Sequence, residues 1–434
     1  MSRRKAVFKI TSIFAAFGTQ KLVDVFANAL IFYAGIRGMD LKSWGLTTAL
    51  ISYISLSTIL ASFGVQVISP SCFDNRRVTG EQVFSLFKSS FYLALSIALV
   101  ASLASFWCVS GLSLFARMLT IPVIVSASIY PSWAFGFKIY IYSLVAVFAF
   151  SRFLSVGIFV FLLGRDQSYF AYLVSVAICS VFLSLSVVFI LRRLKTRDRD
   201  DNSLESYNDK EWELLTNSIF KKGAVFTLFS ILASIPQQLA PIILGNYSPL
   251  MAGVFSIGDY VRRLIQVFLL QVVQSISSII NGKYRTFSAV VLSLIVCIFL
   301  ATLLSSIVYV KADFLASSLL ARDQAGNSLL TAQQVIRWLA FIPVANIPLL
   351  FLVIVMGGCS PKRLSMCLGV SFAIAYIAAY QLLRGFSLGP LESLVAALWV
   401  AEICLMPPSL FFIFRLRRRY ENSIIISSNK ALSS

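Results

Sequence analysis

The 434-residue sequence predicts an all-α integral membrane protein of about twelve transmembrane helices, in two pseudo-symmetric six-helix bundles around a central cavity. Three observations carry this expectation. Hydrophobic residues make up 58% of the chain and charged residues only 13%, with a mean hydropathy of +0.85, a balance no soluble domain needs to bury its core. About twelve apolar runs approach the roughly 20 residues that a span requires, leaving little chain for a soluble domain. The charged stretch 192–222 divides those runs six and six.

In order, the basic N-terminus with Arg3, Arg4 and Lys5 leads into a first span at 11–35, interrupted by Lys21, Asp24 and Asn28. Basic-then-apolar order also marks secretory signals, but apolar character resumes after Lys21 without a clear small-residue cleavage site, so this helix is expected to remain. Spans follow at 46–68, 84–108, 118–137, 141–163 and 171–191. These complete an N-terminal half at 1–191, and a cytoplasmic linker is expected at 192–222. The C-terminal half, 223–414, places spans at 224–244, 251–280, 287–310, 335–356, 364–383 and 391–414, before a basic cytoplasmic tail at 415–434. Pro236 and Pro241 fall inside the seventh span, where proline frees backbone groups that a neighbour or a wet cavity must satisfy. That makes Pro236 and Gln237 candidate cavity-wall residues. An ordinary kink without a ligand is the competing reading.

Charge sets the orientation. With the N-terminus inside, about 25 of the 37 Lys and Arg residues fall on the inner side and about 7 outside, so both termini are expected in the cytoplasm. The net charge of +19 is dispersed in short clusters between apolar runs and forms no single basic face, which argues against nucleic acid as a partner. Seven cysteines are scattered without C-x-x-C spacing, and the chain has no histidine. Neither a disulfide framework, a metal site nor a cofactor is expected. The halves share a faint pattern, with Gly45 and Gly253 near the start of each second span. An even number of spans per half would make the repeats parallel.

Charges inside a bilayer are costly and face a cavity or one another. Lys21, Asp24 and Asn28, at i, i+3 and i+7, share one face of the first helix. They read either as a self-neutralised Lys21–Asp24 pair or as cavity-facing groups with Asp24 available for ion coupling. In the eighth span Ser256, Asp259, Arg262, Arg263 and Gln266 lie within an arc of about 120°. Asp259 can neutralise one arginine but not both, so one positive charge is left to meet an anion, and guanidinium forks suit phosphate. Arg152, between Ser151 and Ser155 in the fifth span, is a second candidate cation; alternatively it caps carbonyls of a neighbouring helix. Arg337, beside Trp338 near the end of its span, reads as an interface residue. No P-loop is present, and Asp198 and Asp200, although in D-x-D spacing, sit in a solvated charge run too short to hold a transferase domain. No enzymatic activity is expected.

At Tyr130, Pro131, Ser132, Trp133, Ala134, Phe135 and Gly136, followed by Ser151 and Arg152 in mid-helix, the chain resembles the Wzx-type O-antigen flippases. These form the polysaccharide branch of the multidrug/oligosaccharidyl-lipid/polysaccharide transporter superfamily. Their pattern is Pro-x-Trp-Phe-Phe-Gln-Gly-x-Glu. Pro131, Trp133 and Phe135 match it, whereas Ala134 replaces an aromatic residue and Gly136, Phe137 and Lys138 stand where the Gln and Glu are missing. No role of that Gln or Glu carries over to this chain. Ala252, Gly253, Val254, Phe255 and Ser256 are similar to the family's Ala-Gly-x-Tyr-Ser opening of the eighth helix.

The resemblance implies alternating access in a bacterial inner membrane and a substrate of undecaprenyl diphosphate carrying an O-antigen repeat. A glycan polymerase and a chain-length regulator are the implied protein partners, alongside membrane lipids. Arg152, Arg262, Arg263 and Lys21 would line a cationic cavity, Asp24 and Asp259 would tune its charge or couple an ion, and Asn28, Pro236, Gln237 and Gln266 would form its wall. A cation-coupled multidrug or metabolite antiporter, a membrane-embedded glycan polymerase or transferase, and a scaffold of a glycan assembly complex are the alternatives.

Overall fold

A computed structural model describes residues 3–65, 69, 79–130, 141–165, 168–197, 208–280, 287–320, 327–355, 362–386 and 388–432. Among these, every regular element is an α-helix. They are α1 (Arg3–Gly38), α2 (Leu41–Ser62), α3 (Gly80–Cys108), α4 (Leu114–Ile129), α5 (Ile141–Leu163), α6 (Tyr169–Arg197) and α7 (Asp209–Tyr247). Then follow α8 (Pro249–Ile280), α9 (Phe287–Val310), α10 (Ala312–Leu319), α11 (Asn327–Leu339), α12 (Ile342–Val355), α13 (Lys362–Gly385) and α14 (Pro390–Leu432).

The expected spans correspond to α1–α9, the α11–α12 pair, α13 and α14. Nine described helical stretches are long and apolar enough to cross a membrane. The others are informative: α4 is shorter, at 16 residues, while α1 and α8 carry the intramembrane charges. Side chains such as Val100, Leu103 and Trp107 on α3 are exposed, as expected for surfaces whose solvent is lipid.

Local sequence sets the helix starts. Asp40 accepts from the Ser43 amide at 2.6 Å, Thr79 and Gln82 form a reciprocal capping box, and Ser113 caps α4. Asn208 and Glu211 cap α7 in the same reciprocal way. The charged stretch is largely helical: α6 runs through Arg197 and α7 opens at Asp209. The D-x-D residues Asp198 and Asp200 lie outside the described residues, as do Pro131–Gly136 of the aromatic motif.

Two compact units divide the chain. The first comprises Met1–Ile231 with Gly245–Leu250, so it extends through the charged stretch; the second comprises Leu232–Leu244 with Met251–Ser434. Thus α7 is shared between them, and the segment with Pro236 and Pro241 belongs to the second. It is one continuous helix despite both prolines.

In the first unit α1 packs on α5, α5 on α6, and α3 on α4. Arg117, 5% exposed, ties off the end of α3: its Nη1 donates to Ser105 Oγ (3.0 Å), its Nη2 to the Val109 carbonyl (3.4 Å) and its Nε to the Leu112 carbonyl (3.2 Å). Two of those donors satisfy carbonyls of the turn that follows α3, where a buried acceptor without a donor is costly. Asn246 docks on the same turn, donating to the Cys108 carbonyl and accepting from the Ser110 amide.

In the second unit α13 and α12 pack along α14, and α10 pairs with α11. Gly258 lets α8 approach α11 closely, since a Cβ there would lie 2.7 Å from Val335 Cγ1 and 3.0 Å from the Val335 carbonyl carbon. A larger residue would force the helices apart just where α8 bears its charges.

Candidate functional site: two intramembrane charge clusters

The cluster in the second unit is built on α8. Asp259 is 5% exposed and its two oxygens are divided between two arginines. Its Oδ1 accepts from Arg262 Nε at 2.9 Å and from Nη2 at 2.5 Å, while Oδ2 accepts from Arg263 Nε at 2.7 Å. Spacings of i, i+3 and i, i+4 place all three groups on adjacent turns of one face. Gln266 accepts from Arg262 Nη1 at 3.3 Å, and its own Nε2 is buried without a partner among the described residues.

The arginines differ in what they can offer. Arg262 is 1% exposed and donates to Asp259 and Gln266, so it acts as a fixed buried charge and does not reach outward to a ligand. Arg263 has a side chain one-third exposed. Its Nη2 donates to the Gln237 carbonyl at 3.1 Å. That carbonyl is the one for which Pro241, four residues on, has no N–H to offer. The proline break and the arginine stripe are therefore one feature: α7 presents a freed acceptor and α8 supplies the donor. Among the described contacts Arg263 Nη1 has no protein partner. One carboxylate facing two guanidiniums leaves one positive charge in excess, and Arg263 carries its accessible edge. Ser256, on the same stripe, spends its hydroxyl on the Gly253 carbonyl within its own helix.

The cluster in the first unit is a cross-helix pair. Arg152 Nη2 on α5 lies 2.8 Å from Asp24 Oδ1 on α1, with the two side chains 31% and 29% exposed. Arg152 is thus a partner of Asp24, while the expected Lys21–Asp24 pair falls on a Lys21 side chain outside the described ones. Arg152 also sits over the Phe148 ring at 5.3 Å, and among the described contacts it makes no hydrogen bond to a carbonyl of α6. Asn28, one turn beyond Asp24 on the same face, is exposed. Arg337 holds α11 to α10 through both oxygens of Asp313, at 3.0 and 2.9 Å, and is a structural contact.

Sequence reasoning passed over Glu402 and Asn346. Glu402, on α14, has no exposed surface, and both its oxygens accept from Asn346 Nδ2 on α12, at 2.9 and 2.8 Å. A lone carboxylate inside the last span was visible in the sequence by the same criterion that marked Asp259. Trp399, one turn earlier, donates to the Trp338 carbonyl at 2.6 Å and pins α14 to α11. Among the described residues no group of His, Cys, Asp and Glu is arranged to hold a metal ion.

No protein-family model matches the sequence, and no curated protein does. Solved structures do. An inward-facing multidrug resistance MATE transporter of the MOP superfamily aligns over 92% of this chain and 96% of its own, with a TM-score of 0.62 at 14% identity. The lipid II flippase MurJ in an inward closed conformation aligns over 96% and 93%, with a TM-score of 0.59 at 12% identity. A Vibrio cholerae MATE transporter gives 96% and 97%, a TM-score of 0.59 and 11% identity. The chain has the fold of these membrane transporters. The multi-pass, all-helical architecture expected from composition is thereby established over nearly the whole length.

Proposed function

We propose that this protein is a flippase that carries a polyprenyl-diphosphate-linked oligosaccharide, of the O-antigen repeat type, across a bacterial inner membrane by alternating access. The observation that carries the reading is the surplus charge of α8. Two arginines share one carboxylate, and the partly exposed one keeps a guanidinium nitrogen without a partner among the described contacts. A diphosphate is the anion such a fork fits, and inside a membrane a lone excess cation is retained only where it meets one. The likeness in fold to a lipid II flippase supports a lipid-linked substrate. Arg263 would contact the diphosphate, Arg262 would supply fixed field, and the Arg152–Asp24 pair would open and re-form as helices shift.

The second reading, efflux of small amphiphiles, is favoured by the likeness to MATE transporters. The surplus cation on α8 repels the cationic cargo that reading most naturally takes. Proteoliposomes separate the two. A fluorescent polyprenyl-diphosphate oligosaccharide should exchange between leaflets faster with protein present, while a cationic dye should not be expelled under a proton or Na+ gradient. Gradient-driven dye efflux without lipid exchange would replace the flippase reading with the second one.

A further inference from the structure

The corner between α7 and α8 is held differently from the helices it joins. Gly245–Leu250 cluster with the first unit, whereas the chain on both sides, Leu232–Leu244 and the run from Met251 onward, belongs to the second. Only Ser248 separates the end of α7 from the start of α8. From Pro249 to Ile280 α8 is one helix with no proline in its interior, so neither the corner nor the helix after it has slack to absorb a movement. A displacement of α8 therefore reaches Asn246, three residues before that helix begins.

Asn246 makes three hydrogen bonds to the turn between α3 and α4. Its Nδ2 donates to the Cys108 carbonyl at 2.7 Å, and its Oδ1 accepts from the Ser110 amide at 2.7 Å and from the Ser110 hydroxyl at 2.9 Å. Beside it Gly245 lies against Ala49 of α2, where a Cβ would collide with the Ala49 side chain. The turn itself is held from within the first unit by Arg117, which is buried and bonds to Ser105 Oγ and to the Val109 and Leu112 carbonyls. Asn246 and Ser110, by contrast, are exposed. Bonds among exposed neutral groups exchange with water at modest cost, and releasing them uncovers no charge. The turn is thus a receptor that stays built when Asn246 leaves it.

We infer that the α7–α8 corner is a releasable strap: Asn246 holds it on the α3–α4 turn in one conformation and leaves that turn when α8 shifts. Three neutral bonds, each worth about fivefold in the equilibrium, favour the docked state without making it permanent. A fixed joint at the same place is the competing arrangement, and it would keep Asn246 docked throughout transport. The inference rests on the alternating access of the proposed function and holds for either cargo.

Reversible bridging tests the strap in the full-length protein with its seven native cysteines replaced. Ser110→Cys and Asn246→Cys, joined by a short bifunctional thiosulfonate, tie the corner to the turn until a reductant frees it. Exchange of a fluorescent polyprenyl-diphosphate oligosaccharide in proteoliposomes should fall about tenfold or more when the bridge is closed and return when it is reduced. Undiminished exchange in the bridged protein overturns the inference, because the corner would then be a fixed joint. Ala49→Cys in the same background gives a readout that needs no cargo, since Ala49 has no exposed surface and lies against Gly245. A small thiol reagent should modify it about tenfold faster once Asn246→Ala removes all three bonds, and about fivefold faster at most once Ser110→Ala removes one. That grading separates release from misfolding. Equal rates with and without these changes overturn the strap. Graded rates in protein that exchanges no lipid even with the corner unbridged support the strap and sink the flippase reading.

Discussion

The two charge clusters solve the same problem in opposite ways. In the first unit one base meets one acid, each on its own helix and each about one-third exposed, so the pair is neutral and can part when α1 and α5 shift. In the second unit two bases meet one acid on a single helix, largely buried, so the charge is fixed in place and unbalanced. A contact that spans helices reports on their movement; one confined to a helix travels with it. Under the proposed function the two would have separate tasks: Asp24–Arg152 would switch, and Asp259–Arg262–Arg263 would hold the ligand.

The largest contrast should come from deleting each acid. Asp259→Asn leaves Arg262 buried beside a second arginine without a carboxylate, and should lower stability by about 3–5 kcal/mol in detergent unfolding. Asp24→Asn should cost less, about 1–2 kcal/mol, because each side chain of that pair is about one-third exposed and the neutral amide can still accept from Arg152. Equal losses would erase the distinction between the clusters. Next in size is Gly258→Ala, which presses a methyl group against Val335 and should cost about 1–3 kcal/mol by the same measurement. No loss there would mean that the α8–α11 approach does not hold the arginines in position.

Function should divide differently from stability. Arg263→Ala leaves Arg262 to balance Asp259 but strips the Gln237 carbonyl of its donor, so it should cost less stability than Asp259→Asn, about 1–3 kcal/mol, while slowing lipid exchange by about tenfold, the loss of one charge-assisted hydrogen bond. The smallest expected effect is the charge swap Asp24→Arg with Arg152→Asp. It should restore most of the exchange rate that either single change removes, measured as a double-mutant cycle. Failure of the swap, with both variants folded, would assign Arg152 a direct role toward substrate in place of switching.

Most of the fold was legible in the sequence because a bilayer leaves few options: long apolar runs must be helices. The α8 stripe was legible for the same reason, since Asp259, Arg262 and Arg263 stand out against an apolar background at helical spacing. What periodicity does not reveal is pairing between helices. The bond from Arg263 to the Gln237 carbonyl joins residues 26 apart, and Arg152 finds Asp24 across 128 positions. Arg152 reaches Asp24 through tertiary packing, which helical spacing along α1 does not report. Arg117 went unremarked because its work is to close a turn on carbonyls, which leave no mark in a sequence.

The most direct test of the account is exchange of a fluorescent polyprenyl-diphosphate oligosaccharide between leaflets of proteoliposomes, read with a membrane-impermeant quencher, for wild type against the Arg262→Ala/Arg263→Ala double variant. The account predicts rapid protein-dependent exchange in wild type and loss of about tenfold or more in the double variant, with both proteins inserted and folded. Unchanged exchange in the double variant would contradict the claim that the surplus charge of α8 receives the substrate.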